Sequence, residues 1–507
     1  MDGIHGFVYQ TSDNLEWLPV GGSWAVYHKR AGGLCILDQD AKAILESFSM
    51  PTSIGLEDLI GKNTSRRALL VREFVSRGFL ARTTGPCAME VLAQQGEAGE
   101  GVKIVQLVVV NACNFDCTYC FEGAQRPPIG GGGLEPVVLH LTPPSDITSA
   151  TLQDSIYATD RRRTSQRDPS NRFMRPADAI SFIEWAIALA KSSGQQELVI
   201  QFFGGEPLLN WRAVKAVLQS FGHGAKHGIN IVYSIVTNGS LITDEVAEAL
   251  AHYGVSVCVS FDSPHSENRK LKNGGDSRPI VISGLRRLVD AGNRVALNAA
   301  LSSDTWEYCD RSIVDFAALM NVREIGIVLD LNPKFYERFE ADQIVDRLWD
   351  ISLYGRKHGV AVTGYWHQIY QLLKDFEAIL TRGFKMCSAK GRQLSIEPDG
   401  SVFSCKGASG YFGNIKQHAT LLHSPTYRQH ASLAFSNPAA CHGCEIEAFC
   451  SGFCLGPLEK KHGRIDTIED RTCAVYRKIT RRLIMGFGVE DTPVLSCSVS
   501  GDQTLRN

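Results

Sequence analysis

Apolar residues in the central part of the chain fall into short runs separated by stretches with helical periodicity. Between about 103 and 330 the runs are IVQLVVV, LVIQFF, INIVYSIV, VSVCVSF, RVALNAAL and EIGIVL, and their length and apolar character indicate strands buried on both faces. The stretches PADAISFIEWAIALAKSS, with Pro176 near its first turn, and TDEVAEALAHYG, with Thr243 as its cap, predict helices between them. This alternation predicts an α/β fold in which helices cover a parallel sheet, either open or barrel-like.

Residues 1–90 have a different pattern. SWAVYHKR and GLCIL indicate short strands, and DQDAKAILESF behind an Asp38 cap predicts a helix with Ala41, Ile44, Leu45 and Phe48 on one face. A short helix around LEDLI, a third helix over RALLVREFVSRG and a closing strand FLART follow. Together they predict a small winged-helix-like domain, and the alternative is a purely structural appendage.

The remaining chain divides by composition. Residues 124–172 contain PPIGGGG, TPPSD and DRRRTSQRDPSN, a polar segment rich in Gly and Pro that predicts a mobile surface insert. Residues 331–380 show helical periodicity and predict a bridge to a cysteine-rich region at 381–480, whose fold we expect to depend on metal. A C-terminal tail occupies 481–507.

The bulk composition narrows the classes of function. The chain has 507 residues, 44% of them hydrophobic and 21% charged, which is typical of a globular protein with about two to four domains. Its formal net charge of -2 gives no electrostatic basis for binding nucleic acid or an acidic membrane. The sequence shows no transmembrane run and no signal peptide, so we expect a cytoplasmic protein that binds neither nucleic acid nor membranes.

Cysteine is abundant for a protein of a reducing compartment. There are fifteen cysteines, which in the cytoplasm are more often metal ligands or catalytic groups than disulfide partners. Ten of them fall into two spaced clusters. The remaining five are scattered: Cys35, Cys87, Cys258, Cys309 and Cys497.

Three cysteines, Cys113, Cys117 and Cys120, lie within NACNFDCTYCFEG directly after the first apolar run. A structural zinc site needs four ligands, and its motifs usually come as paired CxxC units. Thiolates also hold [4Fe–4S] clusters, and three of them leave one iron free for a small molecule. The spacing CxxxCxxC after a strand, with Tyr119 before the last cysteine, resembles the signature of radical S-adenosylmethionine (SAM) enzymes. This resemblance implies a partial (β/α)6 TIM-type barrel over 103–330, in which a [4Fe–4S] cluster on the three cysteines binds SAM.

Polar residues follow three more of the predicted strands, at the carboxyl ends where α/β sheets bind ligands. In FFGGEPLL, two glycines allow a close approach of the backbone, and a neighbouring carboxylate can accept from an ammonium group. VTNGS and VSFDSP supply short side chains able to bind a ribose or a carboxylate, although each alone also suits a cap or turn. The resemblance implies that the first motif holds the amino group of SAM and that these residues contact the cofactor: Tyr119, Gly204, Gly205, Glu206, Asn238, Ser260 and Asp262.

One position departs from the family pattern. The usual Asp-x-x-Arg after this strand reads SENR, so that Arg269 matches while the acidic position is Glu267. The sequence therefore leaves the role of this acidic position, and the identity of a catalytic acid or base, unassigned.

Seven more cysteines lie in the last quarter of the chain. After the first two, CHGCEIEAFCSGFC gives gaps of two, five and three residues before a last, isolated cysteine. A pair of zinc sites suits the CxxC unit, but the whole series resembles the SPASM extension of peptide- and protein-modifying radical SAM enzymes. That resemblance implies a first auxiliary [4Fe–4S] cluster, with its fourth iron open or closed by Cys309 or water, and a second, complete one. Their ligands would be Cys387, Cys405 and Cys454 for the first and Cys441, Cys444, Cys450 and Cys473 for the second.

The resemblance also implies a function. We expect a maturase that uses SAM to generate a 5'-deoxyadenosyl radical, abstracts hydrogen from a residue of a ribosomally synthesised precursor peptide, and installs a carbon–carbon or thioether cross-link. The domain at 1–90 would bind the leader of that peptide by strand addition, and a flavodoxin or ferredoxin would donate electrons. Two alternatives stay open: a maturase of a folded partner protein, of the sulfatase-activating or quinohaem-subunit type, and a metal-stabilised binding module without catalytic activity.

Overall fold

The computed structural model describes residues 7–30, 32–82, 101–120, 173–375, 383–408, 410–452, 454–486 and 494–495. The insert predicted at 124–172 and most of the tail predicted at 481–507 lie outside these residues. Within the described ranges, no helix combines the length and the apolar composition needed to cross a membrane.

The N-terminal part is built from short strands and three helices. Along the chain these are β1 (Phe7–Thr11), β2 (Leu15–Val20), β3 (Ser23–His28), β4 (Gly32–Leu37), α1 (Gln39–Glu46), β5 (Thr52–Ile54), α2 (Leu56–Leu59), α3 (Arg66–Ser76) and β6 (Leu80–Arg82). One sheet has the order β5-β1-β6, and in a second sheet β3 lies between β2 and β4. Asp38 caps α1, since its Oδ1 accepts from the main-chain nitrogen of Ala41 at 2.7 Å. The predicted helices and strands are confirmed, and β1, β2 and β5 are additional.

Strands and helices alternate through the central part, as the pattern predicted. They are β7 (Ile104–Val110), β8 (Phe115–Cys117), α4 (Pro176–Ser192), β9 (Glu197–Gly204), α5 (Trp211–Phe221), β10 (Asn230–Thr237), α6 (Asp244–His252), β11 (Ser256–Ser260), β12 (Arg269–Leu271), α7 (Arg278–Asp290), β13 (Val295–Leu301), α8 (Ser312–Leu319), β14 (Glu324–Leu329), α9 (Pro333–Arg338), α10 (Ala341–Lys357), β15 (Ala361–Thr363) and α11 (Tyr365–Lys374).

A parallel sheet connects these strands in the order β7-β9-β10-β11-β13-β14-β15. Apart from β8 and β12, which pair with each other, every strand lies beside the next one along the chain. All carboxyl ends of the sheet therefore meet at one edge, and the helices α4 to α8 contribute apolar faces to the same core. The predicted α/β fold with a parallel sheet is confirmed.

The bridge predicted at 331–380 contains an element that its helical periodicity did not reveal. The helices α9, α10 and α11 are present, but β15 lies between the last two and pairs in parallel with β14. Three residues are too few to produce a periodic signal, and only the neighbouring strand edge defines them as a strand.

The cysteine-rich part extends the same sheet. Its elements are β16 (Gln393–Ile396), β17 (Ser401–Phe403), β18 (Tyr411–Asn414), α12 (Pro425–Ser432), α13 (Leu455–His462), α14 (Asp470–Gly486) and β19 (Val494–Leu495). Strand β16 pairs in parallel with the second edge of β7, and β17 and β18 follow in antiparallel order. Strand β19 pairs in parallel with β4. The described part of the central sheet therefore has ten strands, and β7, which leads into the first cysteine loop, lies between β9 and β16 of the cysteine-rich part.

Candidate active site

The loop of three cysteines begins where β7 ends. Strand β8 within it pairs antiparallel with β12, which places Cys117 opposite Arg269. The main-chain nitrogen of Thr118 donates to the carbonyl of Asn268 at 3.1 Å. These bonds hold the loop against the segment that follows β11, so that all three cysteines lie at the carboxyl edge of the sheet.

The three thiols lie close enough to affect one another's ionisation. The pKa of Cys117 is raised to about 11, chiefly by burial and also by Cys120 and Cys113, against the opposing charge of Arg269. Burial likewise raises the pKa of Cys113, with a contribution from Cys120. Cys120 itself is exposed. Within the described ranges, no three or more His, Cys, Asp or Glu side chains are grouped closely enough to hold a single metal ion.

Gly204 and Gly205 are required by the cysteine loop itself. Gly204 has a φ of 149°, and a Cβ atom there would lie 2.2 Å from the carbonyl oxygen of Val110. A Cβ atom on Gly205 would lie 2.4 Å from the carbonyl oxygen of Ala112. The sequence predicted that these glycines allow close approach to a ligand. In the structure, the backbone that they admit is the one leading into Cys113.

Glu206 is a buried acceptor for main-chain and side-chain donors of two strand ends. Its Oε1 accepts from Leu208 N at 3.1 Å and from Thr237 Oγ1 at 2.7 Å, and its Oε2 accepts from Asn238 N at 2.7 Å. Burial raises the pKa of Glu206, and these hydrogen bonds oppose the shift. A carboxylate has about four acceptor positions, so one lone pair on Oε2 is left for a ligand.

Asn238 links that carboxylate to the cysteine loop. Its Nδ2 donates to Asn114 Oδ1 at 2.8 Å and lies 3.9 Å from the Cys113 sulfur. Its Oδ1 accepts from the main-chain nitrogen and the hydroxyl of Ser240, at 3.0 and 2.7 Å. Asn114 in turn donates to the Ser240 hydroxyl at 2.9 Å. The strand ends after β9 and β10 therefore fix the position of the first cysteine.

A second group fixes the other side of the loop. The hydroxyl of Tyr119 donates to Asp262 and accepts from Arg269 Nη1 at 3.0 Å. The other oxygen of Asp262 accepts from Ala300 N at 3.1 Å. Burial raises the pKa of Asp262, and Arg269 and Tyr119 oppose the shift. Ser260 lines the same small cavity as Asp262 and Arg269, of about 10 Å³, which is room for one water molecule.

The structure places the arginine and the acidic residue of the SENR segment, Arg269 and Glu267, in different surroundings. Burial would lower the pKa of Arg269, but Tyr119, Cys117 and Asp262 raise it above the ordinary value. Its Nε is buried without a hydrogen-bond partner. Glu267 is 67% exposed and lies 3.9 Å from Arg278. The matching arginine therefore belongs to the site, whereas the acidic position faces outward.

The later cysteines influence one another's pKa in two sets, and their assignment as cluster ligands stays a prediction. Burial raises the pKa of Cys454, with contributions from Cys387 and Cys405. Burial raises the pKa of Cys473 to about 12, with contributions from three other thiols, those of Cys450, Cys441 and Cys444. Cys309, the alternative fourth ligand of the first group, has none of these neighbours. Burial raises its pKa to about 12, and its charged neighbours are Asp262, Arg347 and Asp310.

Two lysines that sequence reasoning missed lie between these groups. Lys385 and Lys390 are 2% and 1% exposed, and their ammonium groups donate to the carbonyls of Glu447 at 2.9 Å and Ser451 at 2.5 Å. Burial lowers the pKa of Lys385 to about 7, with Lys390 adding to the shift. Burial also lowers the pKa of Lys390, and the Cys387, Cys450 and Cys441 thiols oppose the shift. The only local signal in KMCSAKGRQL was that the two lysines flank Cys387, two residues before it and three residues after it.

A further buried pair joins the two cysteine regions. Lys406 Nζ lies 3.4 Å from Glu397 Oε1, and the two side chains are 5% and 3% exposed. Asn111 donates to Glu397 Oε2 at 2.9 Å and accepts from Lys406. Asn111 lies two residues before Cys113, and Lys406 directly follows Cys405. Glu397 and Asn111 follow the neighbouring strands β16 and β7, so the network lies at the carboxyl edge of the sheet.

These surroundings fit the groups that the resemblance implies. A buried ammonium group is costly unless a negative charge balances it, and a cluster bound by thiolates supplies that charge beside Lys385 and Lys390. At the first site, the Arg269 Nε lies near Cys117 without a partner, and hydrogen bonds to cluster ligands are common in such sites. The donors on this chain therefore match anionic iron–sulfur clusters at all three positions.

Comparison with known proteins gives the same result. The profile of the radical SAM superfamily matches residues 107–313, and that of the SPASM iron–sulfur cluster-binding domain matches 387–445. A protein of Paramaledivibacter caminithermalis described as radical SAM cyclopropyl synthase TigE is 39% identical over 473 residues, covering 91% of this chain and 92% of that protein. This chain belongs to the radical SAM superfamily. It is an enzyme of that superfamily, and the predicted radical SAM core and SPASM iron–sulfur region are confirmed.

Solved structures share the fold of this radical SAM enzyme. One, described as anSMEcpe with bound AdoMet and Cp18Cys peptide, has a TM-score of 0.55 and 18% identity, and covers 75% of this chain and 98% of that chain. Another, Streptococcus suis SuiB bound to precursor peptide SuiA, has a TM-score of 0.50 and 14% identity, and covers 92% and 99%. At these identities the likeness concerns the fold alone.

Proposed function

We propose that this enzyme forms a carbon–carbon bond within one residue of a ribosomally synthesised precursor peptide. The observation that carries the proposal is the similarity, over 91% of the chain, to a protein described as a cyclopropyl synthase. The sequence predicted a cross-link of carbon–carbon or thioether type. A cyclopropyl ring is closed by one new carbon–carbon bond, so we propose the first of these two bond types. A peptide substrate is supported by the peptides named with two solved structures of this fold.

Three [4Fe–4S] clusters and SAM complete the proposed enzyme, in a core that we infer to be a partial (β/α)6 barrel. When bound, they supply a hydrogen-abstracting radical and one-electron transfer. The first cluster would be held by Cys113, Cys117 and Cys120. The auxiliary clusters would be held by Cys387, Cys405 and Cys454, and by Cys441, Cys444, Cys450 and Cys473.

The residues of this chain would position and shield these groups. Glu206 and Asn238 fix the first cysteine from one side, and the free lone pair on Glu206 Oε2 is available to the amino group of SAM. Asp262, Tyr119 and Arg269 fix the loop from the other side, with Ser260 beside them. The Glu397–Lys406 pair fills the space between the two cysteine regions with bonded polar groups, which keeps water away from the reacting residue.

The N-terminal part would bind the leader of the peptide, as a winged-helix-like recognition domain. Strand β5 is an edge strand in the described sheet β5-β1-β6, so its outer main-chain groups suit the addition of a peptide strand. Large apolar side chains are unusually exposed nearby: Phe7 and Val8 on β1, Met50 before β5, Ile60 after α2 and Leu69 on α3. Exposed apolar side chains of this size suit contact with an apolar partner such as a leader peptide.

Coexpression with a candidate precursor peptide, taken from a short open reading frame neighbouring the gene, tests the reaction. We expect fragment-ion mass spectrometry to show the loss of two hydrogen atoms confined to one residue, because ring closure replaces two C–H bonds by one C–C bond. The Cys113→Ala variant should give unmodified peptide and no SAM cleavage. A cross-link between two residues, or SAM cleavage that survives the Cys113→Ala substitution, contradicts the proposal.

Leader binding is tested separately with the holoenzyme. Met50→Asp and Leu69→Asp each place a charge in the exposed apolar patch, and we expect affinity for the full-length precursor to fall about tenfold. Leu319→Asp is the matched control, because Leu319 is 81% exposed on α8 of the core. Equal affinity in all three variants would leave the N-terminal part as a structural appendage.

The alternative functions are not favoured. A metal-stabilised module without activity does not account for the enzyme superfamily to which the chain belongs. A maturase of folded proteins does not account for the long similarity to a cyclopropyl synthase.

A further inference from the structure

A cleft of about 470 Å³ opens between the N-terminal part and the cysteine-rich part. Strands β2 and β3 supply one wall through Glu16 and the neighbouring Lys29, and α14 supplies the other. The lining residues are Glu16, Lys29, Gly443, Cys444, Glu445, Ala474, Arg477, Lys478 and Arg481.

One cysteine of the second auxiliary site forms part of this lining. Cys444 is partly exposed, whereas Cys441 and Cys450 of the same group are buried. Ala474, which directly follows Cys473, also faces the cleft. A cluster held by this group therefore has its solvent-facing side at the cleft, and an external protein seated there lies close to it.

The rim of the cleft, formed by Lys29, Arg477, Lys478 and Arg481, is positively charged, and the less exposed Glu16 and Glu445 lie among these cations. Lys478 and Arg481 are each 45% exposed, whereas the side chains of Glu16 and Glu445 are 18% and 11% exposed. Arg481 contacts both carboxylates, and Lys29 lies 3.5 Å from Glu16. The lining has four cations (Lys29, Arg477, Lys478 and Arg481) and two less exposed carboxylates, so its net charge stays positive even with the exposed Asp342 paired to Lys478.

A buried hydroxyl lies beneath the same cleft. The Tyr27 side chain is completely buried, and its oxygen has no hydrogen-bond partner. Tyr27 lies opposite Glu16, a residue of the cleft lining, where β2 pairs with β3.

We propose that this cleft is the docking site of a small, acidic one-electron carrier protein. The carrier's acidic surface would face the basic rim, and one electron would pass to the second auxiliary cluster. The carrier is oxidised by one electron and the cluster is reduced by one, and no bond or proton moves. The inference rests on the proposed function, because it assumes that a cluster occupies the Cys441, Cys444, Cys450 and Cys473 site.

Charge complementarity selects this partner over others. Opposite charges on two proteins accelerate their encounter and orient it, and a transient redox contact needs only a small interface. The competing explanation is that the cations only offset the negative charge of the cluster. The docking explanation and the charge-balance explanation differ in one respect. Only the docking explanation predicts that the affinity for the carrier depends on the exposed cations.

The test uses the holoenzyme and a reduced ferredoxin as probe. The variant Arg477→Glu/Lys478→Glu reverses two cations of the rim, and the ion pair between Lys478 and Asp342 that it removes is exposed and of little importance for stability. The control Lys226→Glu/Arg286→Glu makes the same charge change at exposed positions of the core. Isothermal titration calorimetry gives the affinity, and electron paramagnetic resonance gives the rate at which ferredoxin or dithionite reduces the auxiliary cluster.

We expect the rim variant to lose affinity for ferredoxin, and its ferredoxin KM to rise, by about tenfold or more. The dithionite-driven rate should stay at the wild-type value, and the control variant should match the wild type in both assays. Added salt should weaken the wild type more than the rim variant.

Unchanged ferredoxin affinity in the rim variant overturns the docking site, as does an equal loss in the control. A shift only in the cluster's midpoint potential would show that the cations offset cluster charge, and this also overturns it. Failure of the proposed peptide reaction is a separate outcome, since it appears as unmodified peptide with dithionite, whatever the ferredoxin affinity.

Discussion

The cysteine loop after β7 and the cysteine-rich region after residue 383 differ in what surrounds their thiols. Around the loop, the protein's own polar groups satisfy one another: Glu206 accepts from Asn238, and Asp262 accepts from Tyr119. Around the later cysteines, Lys385 and Lys390 bury two ammonium groups that donate to main-chain carbonyls. The loop is therefore preorganised by hydrogen bonds, whereas the later region carries positive charge that calls for an anionic cluster.

This difference predicts that the later cysteine region depends on iron for its stability more than the loop after β7 does. Metal binding contributes folding energy where the ligand region has few other sources of stability. The loop is bonded to β9, β10 and β12, which belong to or border a large apolar core. In the later region, β16 and α14 also reach the large core, but the apolar cluster directly around Cys387 and Cys405 is small, with Ala389, Leu455 and Ile465 as its buried members.

Removal of iron should give the largest effect. After chelation of the reduced protein, we expect hydrogen exchange around Cys387, Cys405 and 441–465 to accelerate about tenfold or more, while β9 to β11 stay protected. The physical reason is that Lys390 then loses the negative charge of the cluster beside it. Hydrogen-exchange mass spectrometry of the holo and apo proteins measures this. Equal loss of protection in both regions would show that the loop depends on its cluster as much as the later cysteines do.

The second effect concerns the ligands of the first auxiliary site. Cys454→Ala should lose one cluster and the modified peptide, because its thiol lies with those of Cys387 and Cys405. Cys309→Ser should keep the iron content of the wild type, because Cys309 lies instead near Asp262 and Arg347. Iron quantification and electron paramagnetic resonance check both. Loss of a cluster in Cys309→Ser would place Cys309 among the ligands.

Lys390→Met should raise the stability of the apo protein and lower a midpoint potential of the holo protein. Without a cluster, replacing a buried charge by an apolar side chain of similar length should stabilise the protein by about 1–4 kcal/mol. With clusters, loss of the positive charge should lower an auxiliary midpoint potential, on the order of tens of millivolts. Calorimetry and redox titration measure the two effects. The control is Lys416→Met, since Lys416 is exposed in the same region. A matching change there would show that the effects do not come from the burial of Lys390.

The smallest effect is expected at Glu206. In Glu206→Gln, the amide replaces one carboxylate oxygen and meets a donor from Leu208, Thr237 or Asn238, which should cost about 1–3 kcal/mol. The first cluster should still assemble, because its thiols are unchanged, but affinity for SAM should fall. Thermal unfolding, iron content and SAM titration check these outcomes. Glu245→Gln is the control, because Glu245 is exposed and paired with Lys215; a similar loss of SAM affinity there would remove any special role of Glu206.

Much of the fold and part of the site could be predicted from the sequence. The strands of the central sheet and the helix start at Thr243 follow from local periodicity and capping, and both are found. Strand β16 and the three-residue β15 were missed, because pairing with a distant strand defines them and local pattern does not. The cysteine groups could be anticipated by resemblance, since their spacing is local.

The partners of those cysteines could not be anticipated. Lys406 and Glu397 meet Asn111 across nearly three hundred residues of chain, and no local signal marks such a contact. Gly205 carried a clear signal, and the structure adds a reason to the expected one, because the carbonyl of Ala112 occupies the space that a Cβ would need. Roles assigned to single residues therefore need the tertiary structure, even where the motif is unambiguous.

The position of β7 also has a consequence for protein production. Roughly 280 residues separate β7 from β16, its partner on the second edge, and a polypeptide grows at about 5–20 residues per second. During translation, that edge of an apolar strand stays without its partner for roughly 15–60 s. An unpaired strand edge invites association with other chains, so slower growth at low temperature and surplus chaperone should raise the soluble yield of this enzyme.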